Sequence, residues 1–255
     1  MRILVIPDTQ IKDGVPLEQL TWAGKAIVDY RPDCIVHLGD HADMPSLSTY
    51  EKAGSKYFEG KRYKADIDSA KEGMRMLLAP LRELQAKLKK SKKAPYEPRM
   101  VLTLGNHCNR ITRAVNSNPV VEGIISLNDL RYEDDWEVYP FLVPVFIEGI
   151  AFSHYFPTGS MGRASASPAA TLKNLHMSCV AGHQQGKQIA YSKRADGVPL
   201  FSIICGSFYQ HNEDYMDLLG NCHWRGLLIL NEAHNGSADE LFLSMDYLRR
   251  KYGNS

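Results

Sequence analysis

Apolar residues fall along this chain in short β-branched runs that stop abruptly at polar ones. Arg2–Pro7 reads as a buried strand that stops at Asp8. Leu17, Leu20, Ala23, Ala26, Ile27 and Tyr30 form one stripe at helical spacing. Arg31-Pro-Asp is a turn, and Cys34–Leu38 is a second buried strand ending at Gly39-Asp40. The order strand, helix, strand implies a parallel β-α-β unit. Residues 63–90 predict a long helix with a kink or break at Pro80, followed by the basic connector KLKKSKKAPYEP. Met100–Leu104 is a third strand, ending at Gly105-Asn106-His107, and residues 111–130 read as mostly helical. From Trp136 the period shortens. Strands are predicted at Trp136–Tyr139, Val143–Glu148, Ile150–Ser153, Ser178–Ala181, Gln188–Tyr191, Leu200–Ile204, Gly226–Leu230 and Glu240–Leu243.

Composition narrows the class. A chain of 255 residues can bury a sizeable core, and it is read as a single domain over 1–255. Hydrophobic residues make up 44% and charged residues 23%, as in ordinary soluble globular proteins. A net charge of +1 creates no global field that demands nucleic acid, a membrane or an acidic partner. MRILVIPDTQ lacks the long apolar region of a signal peptide, and no segment approaches a membrane span, so no membrane partner is expected. Five cysteines with no C-x-x-C pair predict neither a disulfide framework nor a structural zinc site, which favours a cytoplasmic setting.

The strand ends carry the chemistry. In open α/β sheets, ligands bind beyond the carboxyl ends of strands. Here those ends are Asp8-Thr9-Gln10, Gly39-Asp40-His41-Ala42-Asp43, Gly105-Asn106-His107, Ser153-His154 and Gly182-His183-Gln184-Gln185. Each has a plain structural reading. A Gly-Asp pair makes turns, Asp8 suits an Asx-turn or helix cap, and a lone His after a strand is commonly hydrogen-bonded core. Their order carries the information, because every one places oxygen or imidazole donors after a stiff element.

That order, D-x-Q, G-D-x-x-D, G-N-H, a lone H and G-H-x-Q, resembles the calcineurin-like metallophosphoesterases. Their pattern is D-x-H, G-D-x-x-D, G-N-H-E/D, H and G-H-x-H, and the chain looks like the compact phosphoesterases of bacteriophage genomes. The resemblance spans Asp8 to Gln185. It implies an α/β fold, specifically a four-layer α/β/β/α sandwich, with a two-metal site at the strand ends. It assigns Asp8 to metal one, Asp40 to the bridge, and Asn106, His154 and His183 to metal two. Gln10 and Gln185 fall at the remaining metal-one positions. The implied reaction is phosphoester hydrolysis by a bridging hydroxide, with His107 as general acid and Asp43 holding its other nitrogen.

The chain departs from the pattern at three places. Gln10 and Gln185 replace two histidines of metal one. Amide oxygen is a neutral, hard donor that favours Mn²⁺ or Mg²⁺ over Zn²⁺. Two divalent ions are therefore expected, Mn²⁺ foremost, with Mg²⁺, Ni²⁺, Fe²⁺ or Zn²⁺ as alternatives, and metal one should be the more labile. Cys108 stands where many relatives have a carboxylate, and is either a small buried filler or a zinc-binding residue. Arg110 is a candidate substrate contact, because a guanidinium grips phosphate with a planar fork. Arg113 reads equally well as a solvated helix position.

Substrate signals are weaker. Lys87–Lys93 holds five lysines in seven residues, either as a solvated helix end or as a tracker of a DNA or RNA backbone. Tyr155–Arg163 suits a lid or a base-stacking loop, or an ordinary glycine-rich loop. Phe208–Tyr215 brings His211 toward the pocket, whereas His37 reads as core and His41 falls outside the ligand slots. The leading reading is a phosphodiesterase or nuclease acting on nucleic acid or nucleotides. A phosphomonoesterase is the alternative. Protein phosphatases of the family carry Arg after G-D-x-x-D, and here Met44 follows. A non-catalytic scaffold is disfavoured by retention of Asp40. Oligomeric state stays open, and the basic amphipathic tail Leu243–Tyr252 either packs on the core or self-associates.

Overall fold

The computed structural model describes residues 1–253 apart from 50–54, 160–161, 214–215 and 217. β1 (Ile3–Ile6) has no polar residue and is buried throughout, as a strand covered on both faces must be. α1 (Glu18–Tyr30) carries it over to β2 (Cys34–His37), which pairs with it in parallel. α2 (Tyr63–Lys90) leads to β3 (Arg99–Thr103), α3 (Arg110–Ser117) and β4 (Glu137–Tyr139). The second half forms β5 (Val145–Ile147), β6 (Ile150–Ser153), α4 (Pro168–Leu175), β7 (Cys179–Ala181), β8 (Lys187–Lys193) and β9 (Pro199–Cys205). α5 (Leu218–Asn221), β10 (Gly226–His234), β11 (Ser237–Ser244) and α6 (Met245–Tyr252) close the chain.

The strands form two sheets, ordered β11-β10-β1-β2-β3-β4 and β5-β6-β7-β9-β8. Alternation along β1 divides the core. Leu4 and Ile6 face α1, α2 and α6 with Ile27, Leu77 and Leu248. Ile3 and Val5 face the second sheet, meeting Phe152, Val180 and Ile203. α4 lies over β8 and β9 on the far side. The result is the expected four-layer α/β/β/α arrangement.

Three local expectations change. α2 runs through Pro80 without a break. The helix expected over 111–130 stops at Ser117 and gives way to 3-10 turns at Pro119–Val121 and Leu127–Leu130. Pro119 disfavours helical backbone at Asn118, and Gly123 adopts a positive φ of 77°. α4 goes unread in the hydrophobic pattern, yet its start carries a plain signal. Ser167 accepts a hydrogen bond from Ala170 N at 3.2 Å, with Pro168 in the first helical position. The basic tail packs on the core, where Leu248 is buried and Tyr252 Oη donates to Asp29 at 2.8 Å. Among the described residues, no helix is long and apolar enough to cross a membrane.

The topology places the site. β1, β2 and β3 are parallel and release Asp8, Asp40 and Asn106 at one end. β6 and β7 are parallel in the second sheet and release His154 and His183. The lysine run lies at the opposite end, where Arg99 N donates to Asp33 O at 3.0 Å and Tyr96 Oη to Pro32 O at 2.8 Å.

Candidate active site

Three of the strand-end loops take left-handed backbone at a candidate ligand. Gln10, Asp40 and His183 take positive φ values of 41°, 47° and 65°, uncommon for residues with side chains. Such strain is characteristically held at functional sites. Gln10 N donates to Asp40 O at 2.8 Å, tying the first two loops together. Two glycines make room for the carboxylates. A Cβ on Gly105 would sit 2.0 Å from Asp40 Oδ1, and one on Gly182 would sit 2.3 Å from Asp8 Oδ1.

His154 is the centre of the cluster and is fully buried. Its Nδ1 donates to Leu38 O at 2.8 Å. Its Nε2 meets Asn106 Oδ1 at 2.8 Å and Asp40 Oδ2 at 3.1 Å. One nitrogen thus faces two acceptor oxygens, and only a proton or a metal cation reconciles them. Burial opposes a charged ring here, yet Asp40 and Asp8 outweigh it and push the His154 pKa up to about 9. Asp40 pays the same burial cost, but His154 and His107 hold its carboxyl well below the usual range. Asp8 accepts His183 N on both oxygens at 3.0 Å. Burial, with Asp40 adding to it, pushes Asp8 up to about 7 against the pull of His154. Burial and the neighbouring His154 lower His183 to about 4.

These residues fit a divalent cation. Ligand atoms of Asp40, His154 and His183 lie within 4.8 Å of one another. Gln10 Oε1 is buried with no hydrogen-bond partner, an orphan acceptor on the loop whose backbone is tied to Asp40 O. Gln185 Oε1 accepts from Tyr209 Oη at 3.1 Å, which leaves its second lone pair. Tyr209 follows Phe208, whose backbone N donates to Asp8 O at 2.7 Å.

Beside the cluster stands an acid–base pair. His107 N donates to Asp40 Oδ1 at 2.8 Å, which fixes the residue whatever its side chain does. Its Nδ1 lies 2.5 Å from Asp43 Oδ1, and its Nε2 lies 3.8 Å from Asp40 Oδ2. Burial opposes the charged ring, but Asp40 and Asp43 outweigh it and raise its pKa. Arg110 is buried, and its Nη1 donates to Asp43 O at 2.8 Å and Met44 O at 3.3 Å. That hydrogen bonding anchors the G-D-x-x-D loop. Arg113 is exposed and donates to Thr49 Oγ1 at 3.0 Å.

Sequence reasoning missed Lys12, and it missed that His37, read as core and found buried, is paired with Thr9 and His41. Lys12 lies 3.2 Å from Asp43 Oδ2 and 2.7 Å from Glu213 Oε2. Its place two residues after Gln10 was the available signal. Behind the site, Thr9, His37 and His41 form a buried polar knot. Gly39 N donates to His37 Nδ1 at 3.2 Å, so the His37 proton sits on Nε2, 3.3 Å from His41 Nδ1. His41 Nε2 donates in turn to Ala70 O at 3.0 Å. Both rings are neutral. Burial lowers His41 to about 4 and His37 well below its ordinary value, with His41 adding to the latter.

A folded pKa below the unfolded one stabilises the protein above the unfolded value. That contribution disappears as pH falls from 6.5 through the folded pKa of about 4. Wild type should therefore lose about 3 kcal/mol more than His41→Asn between those pH values in urea unfolding. Equal losses would mean that burying neutral His41 does not set acid lability.

The remaining candidates sort plainly. Cys108 is fully buried, with Sγ 3.7 Å from Tyr132 Oη, and burial pushes its thiol up to about 11. It fills space and joins no ligand cluster among the described residues. Tyr155 lies against His183, with ring centroids 4.6 Å apart. Residues 160–161 of that loop, and Asp214 and Tyr215 of the other, lie outside the described residues. A cavity of about 1070 Å³ at the lysine end mixes Lys89, Lys92 and Lys93 with Glu133, Asp134 and Asp135. Chemistry, not size, locates the site.

No family model matches this chain. The Gene 54 protein of Mycobacterium phage D29 is 43% identical over 81 residues, 32% of this chain and 30% of that protein. The Gene 54 protein of Mycobacterium phage L5 is 41% identical over 83 residues, 32% of this chain and 31% of that protein. The matched region thus spans about a third of these relatives. Among solved structures, YfcE, a phosphoesterase from E. coli, aligns over 94% of this chain and 98% of its own, at 11% identity and TM-score 0.39. A conserved uncharacterized protein, a predicted phosphoesterase from Streptococcus pneumoniae TIGR4, aligns over 95% and 97%, at 11% identity and TM-score 0.32. Scores this low do not bear on activity.

Proposed function

We propose that this chain is a metal-dependent phosphoester hydrolase, acting as a phosphodiesterase with His107 as general acid. The observation that carries the reading is the pairing of His107 Nδ1 with Asp43 Oδ1 at 2.5 Å, beside a buried cluster of metal-ligand type. Asp40, Asn106, His154 and His183 would hold one divalent ion, and Asp8 and Gln10, with Asp40 shared and Gln185 nearby, a second. Such ions supply Lewis acidity to phosphoryl oxygens and an activated water nucleophile, and oxygen-rich donors suit Mn²⁺.

The chain's own residues do the rest. Asp43 accepts from His107 Nδ1, so the ring keeps its orientation and favours its protonated form. The Nε2 proton then faces the cluster and passes to the leaving oxygen. The His154 ring is fixed by Leu38 O, which directs its Nε2 at Asn106 and Asp40. Among substrates, nucleotides or short nucleic acids fit a diester reading. The lysine run is at the far end of the strands, so a nucleic-acid backbone in the site would not lie along it.

The test is hydrolysis of a chromogenic phosphodiester and a phosphomonoester by Mn²⁺-loaded protein, with metal content measured in parallel. Diester turnover that disappears on chelation and returns with Mn²⁺ is the expected result. Turnover of the monoester alone would replace the reading with a phosphatase. Turnover of neither by protein with bound metal would remove the hydrolase reading.

A further inference from the structure

Lys12 has no part in the reading above, yet it sits between two buried acids. Its side chain is 18% exposed, against 6% for Asp43 and 4% for Glu213. Lysine is rarely withdrawn from water to this degree unless it is paired. Burial opposes its charge, but Asp43 and Glu213 outweigh burial and raise its pKa, so it remains an ammonium.

The two oxygens of Asp43 are held from different sides. Oδ1 takes His107 Nδ1 at 2.5 Å, and Oδ2 takes Lys12 Nζ at 3.2 Å. Arg110 makes its short contact with the Asp43 backbone carbonyl and lies 3.5 Å from Oδ1. Arg110 therefore fixes the loop, and Lys12 fixes the carboxylate. Lys12 is fixed in turn by Glu213, 201 residues further along the chain. Glu213 Oε1 accepts from His211 Nε2 at 2.7 Å, and Glu213 N donates to Asn221 Oδ1 at 2.8 Å. His211 stacks on Tyr209 with centroids 4.6 Å apart. Charge alternates from Asp43 through Lys12 to Glu213.

We propose that Lys12 is a positioning residue for the His107–Asp43 pair, held in place by Glu213. The proposal rests on the reading of His107 as general acid. A pinned carboxylate keeps the imidazole aimed. A carboxylate free to rotate would let His107 turn away from the leaving oxygen. Positioning of this kind acts on proton delivery and not on substrate binding.

The experiment uses the full metal-loaded chain and two phosphodiesters that differ only in leaving group, p-nitrophenolate or an alkoxide. The aryl oxide leaves without a proton and the alkoxide needs one. Lys12→Met should lower kcat about tenfold more for the alkoxide than for the aryl oxide, with KM little changed. Lys12→Arg should restore most of the loss. His107→Gln should show the same leaving-group signature, only larger. An equal loss on both substrates in Lys12→Met, with His107→Gln still discriminating, would overturn the proposal. If His107→Gln itself fails to discriminate, the general-acid reading is wrong. Positioning is then judged by proton NMR of the chain loaded with diamagnetic Mg²⁺, which needs no turnover. The downfield Nδ1 proton of His107, assigned by its absence in His107→Gln, should shift or disappear in Lys12→Met. An unmoved resonance would overturn the proposal by itself.

Discussion

Asp40→Asn is expected to fold and to lose metal-dependent phosphoester hydrolysis down to background. The asparagine keeps an oxygen for His107 N, which Asp40 Oδ1 accepts at 2.8 Å. It also tolerates the left-handed backbone that residue 40 adopts, with φ at 47°. What it loses is the negative charge facing His154 Nε2 at 3.1 Å. Altering the outer partners of metal ligands typically costs about 10- to 100-fold in affinity, so replacing a central carboxylate should cost at least about 100-fold. Thermal unfolding with Mn²⁺ reads this directly. At 100 times the wild-type Kd, linkage contributes about 2.7 kcal/mol to wild type and only about 0.4 kcal/mol to a variant bound 100-fold more weakly. A variant that binds Mn²⁺ like wild type would show that Asp40 is no ligand.

His107→Gln should separate chemistry from metal binding. The backbone N of residue 107 donates to Asp40 Oδ1 at 2.8 Å whatever the side chain, so the loop should survive the change. Mn²⁺ affinity should stay within about threefold of wild type. Turnover of a diester with an alkoxide leaving group should fall by about 10²- to 10⁴-fold, the usual contribution of a positioned acid. The p-nitrophenyl diester should fall far less. Steady-state kinetics with metal titration checks both halves. Parallel loss of metal affinity and turnover would make His107 part of the metal site and leave proton delivery without a residue.

Much of this molecule can be read from its strand ends. β1 and β2 are short and buried throughout and β3 is buried over its last three residues, so the pattern places each to within one residue at either end. Asp8, Asp40, Asn106, His107, His154 and His183 could be named because they follow such strands. What the pattern hides is contact between distant segments. Nothing local says that Glu213 reaches Lys12, since a lone acid in a polar loop looks solvated. The overlong helix over 111–130 failed for a different reason. Its apolar spacing is helical, but Pro119 and Gly123 cap what spacing can deliver. Pro80 shows the converse: of the kink or break expected there, the break does not occur, and α2 continues with Leu77, Leu78 and Leu81 buried on either side.

The site straddles the seam between the two sheets, and that has a consequence for how the chain is made. Asp8 and Asp40 are synthesised early, and 175 residues separate Asp8 from His183, whose amide caps it. At roughly 5–20 residues per second, that gap is about 9–35 s of translation. Until His154 is made, at the end of β6, the two carboxylates have no second-sheet partner. β10 and β11, which complete the first sheet, are made after every strand of the second, so the first sheet is not whole until the chain is nearly finished.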